Sequence, residues 1–153
     1  MHSNGNIVFK SKIGKISICV SNGKIISLKI TNKNLKSSDN FELLKAKKQI
    51  LEYLKIKRKN FCLNISPNGT SFQKEVWKEI SKIPYGKTTT YLNISNKINS
   101  SPRAVGQACA KNPILLIIPC HRVISKVNKL TGFSAIGGVD TKRQLLKIEH
   151  III

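Results

Sequence analysis

The sequence predicts an α/β protein: a small N-terminal α/β lobe with an antiparallel β-hairpin sheet, followed by a mostly helical C-terminal lobe containing a helix-turn-helix. Three observations predict this. Residues 14–30 alternate apolar and polar around Asn22-Gly23, a hairpin signature because both turn positions tolerate positive φ. Ser66-Pro67-Asn68-Gly69 then breaks the chain, and beyond it the apolar period becomes helical. Finally, two short helical segments meet at Asn99-Ser100, with Ser101 as a cap and Pro102 at the first helical position. The lobes are assigned to residues 1–66 and 67–153.

Each element has its own local reason. Ile7 and Phe9 suggest a first strand. Ile16, Ile18 and Val20 point one way, and Ile26, Leu28 and Ile30 repeat the pattern after the turn. Residues 31–40 are polar and read as a loop. Asp39 then caps a helix with Glu42 three residues on, and Leu43, Leu44, Ile50, Leu51 and Leu54 recur at helical spacing. Phe61, Leu63 and Ile65 alternate as one more strand. In the second lobe Thr70 and Gln73 form a capping box, with Phe72, Val76, Ile80 and Ile83 as the buried stripe. Pro84-Tyr85-Gly86-Lys87 is a turn, and Thr90 caps a short helix through Ile98. The next helix turns Ala104, Val105, Ala108 and Cys109 inward. Gly106 in its middle is costly unless another backbone approaches closely. Five large aliphatics at 114–118 read as a buried strand, ended by Pro119. The last helix starts near Asp140 and carries Leu145, Leu146 and Glu149 on one stripe.

The net charge of +20, from 27 basic and 7 acidic residues, points to a polyanion such as nucleic acid or an anionic surface. Lys, Asn and Ile crowd the chain and are encoded by AT-rich codons, so compositional drift competes as the source of the charge. The four cysteines are Cys19, Cys62, Cys109 and Cys120. None forms a Cys-x-x-Cys pair and no His cluster accompanies them, so no metal site is expected. The first residues are polar, no apolar secretory segment follows, and no run is long enough for a membrane span. Reduced thiols in a cytoplasmic protein are the expectation.

Cys120-His121-Arg122 is the candidate reactive site. A thiol is nucleophilic only as thiolate, and its ordinary pKa of about 8.5 leaves little of that form at neutral pH without a base or a positive field. His121 and Arg122 are placed to supply either. Glu149 faces inward beside two leucines, where an unpaired charge is expensive. Pairing with His121 is one reading; a frayed last turn reaching solvent is the other.

Several ordered motifs between residues 61 and 150 resemble the O6-alkylguanine-DNA alkyltransferases, also called methylated-DNA–protein-cysteine methyltransferases. They are Gly69-Thr70-Ser71-Phe72-Gln73 with Val76-Trp77, Ile83-Pro84-Tyr85-Gly86, Thr90-Tyr91, Arg103-Ala104-Val105-Gly106, Asn112-Pro113, Ile118-Pro119-Cys120-His121-Arg122-Val123, and Leu145-Leu146 with Glu149. The resemblance implies that Cys120 accepts the alkyl group from the guanine oxygen. His121 would draw the thiol proton through a water, with Glu149 orienting it. Asn112 would brace the active-site turn, and Tyr91 would protonate the departing guanine. Arg103 would enter the stack where the base is flipped out, on a helix whose Ala104 and Gly106 approach the minor groove. Val123 and the 132–138 loop, Ser134 included, would wall the base pocket.

The same resemblance implies one irreversible transfer per molecule, no cofactor and no metal. The partner would be double-stranded DNA containing O6-alkylguanine, with O4-alkylthymine left open; no membrane is involved and the state is monomeric. The alternative is a non-catalytic protein that flags alkylguanine, and Cys120 argues against it because such relatives replace this residue. A methylation sensor would carry a further metal-binding cysteine domain, and a thiol hydrolase would leave the DNA-binding half unexplained. The chain departs from the family pattern in a shorter segment between Tyr91 and Arg103, in Phe133 where a tyrosine is common, and in lacking ligands for the zinc site of some members.

Overall fold

The Asn22-Gly23 turn sets the register of the N-terminal sheet. A computed structural model describes residues 4–125 and 138–151, and the chain divides into two units, Met1–Asn68 and Gly69–Ile153. In the first, β1 (Gly5–Phe9), β2 (Lys15–Ser21) and β3 (Lys24–Thr31) pair antiparallel in that order. Asn22 and Gly23 have φ of 51° and 73°, the left-handed pair that suits the strand twist. A register shift between Cys19 and Val20 pairs Val20 with Ile25. Ile25 is therefore buried and Ile26 only half-buried, reversing the alternation expected there. A bulge inserts one residue and turns the rest of the strand over, which a period-two pattern cannot show.

α1 (Phe41–Leu54) packs on this sheet through Leu43, Ala46, Ile50, Tyr53 and Leu54. Its N-cap is Asn40, not Asp39: the Asn40 side chain accepts from the Leu43 N–H at 3.0 Å. Leu44 is exposed, while Ala46 and Gln49 join the buried face. The expected strand at 61–65 does not form. Only a parallel bridge between Ile25 and Ile65 is made. The Gln49 side chain binds both backbone groups of Cys62, donating to its oxygen at 3.3 Å and accepting from its N–H at 2.8 Å. A side-chain amide thus takes groups that a ladder would need.

The second unit begins with the Thr70–Gln73 capping box of α2 (Ser71–Ile80), present with both reciprocal bonds. Val76, Trp77 and Ile80 are buried, whereas Phe72 stays on the surface. β4 (Thr89–Thr90) leads into α3 (Tyr91–Lys97) and then α4 (Pro102–Ala110). The α3–α4 hairpin turns at Asn99, φ 54°, and the Ser100 N–H closes on Ser95 O at 2.9 Å. That is a Schellman closure with asparagine in the left-handed position. The Trp77 indole N–H donates to Ala108 O at 2.9 Å and ties α2 to α4. Among the described residues no other backbone lies within 4 Å of a Cβ at Gly106; it would lie 4.0 Å from the Tyr91 ring, ordinary contact distance.

Residues 114–118 are buried, apart from the half-buried Ile117, but are not a strand. Leu116 has φ 70°, and Ile118 N–H bonds Ile114 O at 3.1 Å, so the run is a set of turns. An apolar run of five cannot distinguish a buried strand from a buried turn by periodicity. β5 (Val123–Ile124) comes next and pairs parallel with β4, a ladder too short to have a sequence pattern. α5 (Gly138–Ile148) completes the unit. No helix among the described residues is long and apolar enough to cross a membrane.

A Cβ at Gly69 would sit 2.5 Å from Trp77 Cη2 and 2.8 Å from Gln73 Oε1. Both neighbours are held, one by its indole hydrogen bond and the other by the capping box. Gly69→Ala is expected to destabilise the protein by about 1–3 kcal/mol through overpacking. The readout is the urea midpoint followed by the fluorescence of Trp77, the chain's single tryptophan. An unchanged midpoint would mean that the indole yields freely.

Candidate active site

Cys120 opens a 3-10 turn, Cys120–Arg122, directly after Pro119. Its position depends on one side chain. Asn112 Oδ1 accepts from Ile114 N–H at 2.9 Å while Nδ2 donates to Ile118 O at 2.8 Å, closing the 114–118 turns around the amide. The same Nδ2 lies 3.2 Å from Cys120 Sγ. The thiol is 4% exposed. A hydrogen bond with Cys109 of α4, followed by burial, pushes its pKa well above the usual range. The Asn112 donor and the charge of Lys142 pull the other way and are outweighed. At neutral pH Cys120 is held as a thiol.

His121 is buried, with Nε2 2.7 Å from Glu149 Oε2. Burial, joined by the charges of Arg122 and Lys142, lowers its pKa despite the carboxylate that raises it, so the imidazole is neutral at neutral pH. A carboxylate only accepts, so Nε2 carries the hydrogen and Nδ1 is the basic nitrogen.

Glu149 is inside, settling the choice left open by the sequence. Its side chain has no exposed surface and sits just past the end of α5. His150, φ 62°, and the Ile151 N–H on Leu146 O at 2.9 Å close that end as a Schellman motif. Arg122 grips the carboxylate with Nε to Oε1 at 2.9 Å and Nη2 to Oε2 at 3.0 Å, and its Nη1 donates to Ile83 O at 2.7 Å. The Gly86 N–H adds a bond to Oε1 at 3.0 Å. Gly86 occupies the third position of the turn starting at Pro84, with φ 79° and Lys87 N–H on Pro84 O at 3.1 Å. That geometry is a type II turn and requires glycine there. Arg122, expected to act on the thiol, is committed to Glu149 instead.

Tyr91 is the first residue of α3, capped by Thr90. The β4–β5 ladder, with Thr90 opposite Ile124, brings it toward Val123. Lys142 of α5 links the two, as its Nζ donates to Val123 O at 2.7 Å and to the Tyr91 hydroxyl at 3.4 Å. Val123 itself is fully buried. On α4, Arg103 is exposed in the first turn, with Ala104 and Gly106 half-buried behind it. Ser134 lies outside the described residues. The structure thus joins Asn112 to Cys120 and His121 to Glu149, while Arg103 stays on the surface. Sequence reasoning missed the Gly86 N–H and Lys142. Lys142 had a signal: it falls three and four residues before Leu145 and Leu146, on the buried stripe. Among the described residues no three His, Cys, Asp or Glu side chains cluster as metal ligands.

Comparison with known proteins agrees with this geometry. Residues 71–151 match the family model for the DNA binding domain of 6-O-methylguanine DNA methyltransferase. A methylated-DNA–protein-cysteine methyltransferase of Methanosarcina barkeri is 48% identical over 107 residues, covering 69% of this chain. That match spans 66% of the relative, just under two thirds of its length. The protein of the same name in Metallosphaera sedula is 39% identical over 149 residues, covering 95% of this chain and 92% of the relative. Among solved structures, Mycobacterium tuberculosis OGT in complex with DNA matches with a TM-score of 0.84 at 34% identity, covering 94% of this chain and 91% of that one. A family model over more than half the sequence, and a relative aligned along nearly all of it, place the chain in the methylated-DNA–protein-cysteine methyltransferase family.

Proposed function

We propose that this protein repairs DNA by moving the alkyl group of O6-alkylguanine onto its own Cys120, once and irreversibly, without a cofactor. The observation that carries the reading is the buried Cys120 thiol under the Asn112 amide, next in sequence to a neutral His121 backed by Glu149. His121 takes the thiol proton across a bridging water, and the Glu149 carboxylate stabilises the imidazolium that forms. Arg122 and the Gly86 N–H hold that carboxylate in place. Asn112 donates to the sulfur as its charge develops. The sulfur–carbon bond forms as the carbon–oxygen bond breaks, the electron pair stays with guanine, and the Tyr91 hydroxyl supplies the proton it needs.

Arg103 fills the stack left by the flipped base, with Ala104 and Gly106 against the minor groove. Val123 and Ser134 contribute to the base pocket. The units divide the work, with residues 67–153 binding DNA and carrying the thiol. One-base repair needs no symmetry, so the protein acts as a monomer, in the cytoplasm where thiols stay reduced.

The direct test is incubation with duplex DNA carrying labelled O6-methylguanine, followed by peptide mass spectrometry. The label is expected on Cys120 alone, one per molecule, and Cys120→Ser should bind DNA but acquire none. A stoichiometric adduct on Cys19, Cys62 or Cys109 would overturn the assignment.

The transfer rate and stability should each have an acid limb. The folded pKa of His121 lies below its ordinary value of about 6.5, so the unfolded chain takes up this proton first as pH falls. The stability from burying a neutral imidazole is complete above about pH 6.5 and is lost as pH drops through the folded value. A protonated imidazole also cannot accept the thiol proton. Urea midpoints are expected to decline below about pH 6.5, and single-turnover rates to decline at the lower pH at which the folded imidazole takes up its proton; a rate that shows no acid limb before the protein unfolds would exclude His121 as the base.

Arg103→Ala should slow repair of duplex DNA by more than about tenfold, the factor produced by about 1.4 kcal/mol. Reaction with free O6-benzylguanine, where the pocket admits it, should hardly change because a free base needs no flipping. Equal losses on both substrates would assign Arg103 to the pocket or the fold.

A further inference from the structure

Cys109 and Cys120 are the two cysteines of the second unit, and both are buried. Cys109 lies on the inward face of α4, and Cys120 opens the 3-10 turn. One residue ties them together. The Asn112 N–H binds Cys109 O at 3.1 Å, while its side-chain Nδ2 donates to Cys120 Sγ at 3.2 Å. The two thiols are themselves hydrogen-bonded, and the Lys142 ammonium is close enough to feel both sulfurs. A small side chain at position 109 needs no sulfur to fill its place. A thiol held against a second thiol adds a reaction, because a disulfide needs its sulfurs only to close from contact to about 2.05 Å.

We propose that Cys109 is a resolving thiol, which captures Cys120 as a disulfide when a peroxide oxidises it and so keeps that oxidation reversible. What is preserved, an alkyl acceptor used once, rests on the proposed function; the disulfide chemistry does not. In the first step the Cys120 sulfur attacks one oxygen of hydrogen peroxide. The oxygen–oxygen bond breaks, the sulfur is oxidised to a sulfenic acid, and the other oxygen leaves as water with the thiol proton. The Cys109 sulfur then attacks the Cys120 sulfur. The sulfur–oxygen bond breaks, and hydroxide leaves as water with the Cys109 proton. Two thiols and one peroxide thus give one disulfide and two waters. Without a resolving thiol, a sulfenic acid goes on to sulfinic and sulfonic acids, which simple reductants do not restore. A dithiol reductant returns the disulfide to two thiols by exchange.

The test exposes the full chain to excess hydrogen peroxide, blocks remaining thiols, and locates the products by peptide mass without reduction. Trypsin cuts after Arg103, Lys111 and Arg122, so the two cysteines fall on neighbouring peptides that only the disulfide joins. The joined pair is expected in the unmodified chain. Single-turnover transfer from duplex DNA containing O6-methylguanine should be lost with its formation and return with dithiothreitol. In Cys109→Ala the same exposure should leave Cys120 carrying two or three added oxygens, and dithiothreitol should restore no transfer. Added oxygens on Cys120 of the unmodified chain with no joined pair would overturn the proposal. So would a Cys120 link to Cys19 or Cys62, or full recovery of Cys109→Ala. A joined pair in a chain that transfers nothing even before exposure supports the disulfide and overturns the alkyl-transfer reading instead. Should Cys109→Ala fail to fold, Cys109→Ser keeps a side chain of similar size with no thiol; irreversible loss in it supports the proposal and full recovery overturns it.

Discussion

One buried carboxylate holds the second unit in register. Glu149 accepts from His121, from two nitrogens of Arg122 and from the Gly86 N–H. These come from the 3-10 turn and from the loop before β4, so one side chain at the end of α5 joins three separated stretches of chain. It also sits at a helix C-terminus, where the backbone carbonyls disfavour negative charge. Arg122 offsets both that field and the desolvation. Such a cluster adds little net stability against an apolar alternative, yet removing one partner costs about 3–5 kcal/mol because the other charge is stranded. Set against a total stability of about 5–15 kcal/mol, that penalty selects one arrangement of the unit. The imidazole orientation is a consequence of it.

The Asn112 amide plays the parallel role on the other side of Cys120. It sits just past the end of α4, with its own N–H on Cys109 O at 3.1 Å. From there it closes the turns that carry an apolar run to Pro119, and it touches the sulfur with the same nitrogen. The helix bearing Arg103 and the thiol are therefore joined through this side chain as well as through Cys109. Any displacement of the end of α4 reaches Cys120 without passing through a flexible loop.

The parts of this structure legible in the sequence were those with local chemistry. The Asn22-Gly23 hairpin, the Thr70–Gln73 capping box and the Ser101-Pro102 helix start are all set by residues within four positions of one another. What the sequence concealed came from partners far along the chain. The 114–118 run is coiled because Asn112 satisfies it, the 61–65 strand is lost because Gln49 reaches across to Cys62, and the β4–β5 ladder is only two residues long. At the site, the sequence singled out Cys120, His121, Asn112 and Glu149, which the structure brings together in two pairs, whereas Arg122, offered with His121 as help to the thiol, contacts Glu149. Adjacency in sequence suggested that it served the thiol; side-chain length and the turn direct it to Glu149. Lys142 was overlooked because lysines abound in this chain, and a buried one differs from a solvated one only by its stripe.

On the proposed function, the arrangement around Cys120 answers a requirement particular to a nucleophile that is used once. Every thiolate that meets a stray alkylating agent is a molecule lost, since no turnover restores it. A thiol pre-ionised by a close cation would be fast and vulnerable, as low-pKa exposed thiols are. Here the field runs the other way: Cys109 and burial keep the proton on the sulfur, and Arg122, which could have drawn it off, is bound to Glu149. Under the proposed function, reactivity then has to be created in the complex, by a neutral base that removes the proton while an electrophilic carbon stands within reach. That division would demand that His121 stay neutral near pH 7, in line with its burial, and that its imidazolium be tolerated for the moment of transfer, for which Glu149 is in place at 2.7 Å. Protection and catalysis therefore place opposite demands on the thiol and the imidazole, and separating the two groups lets each be met.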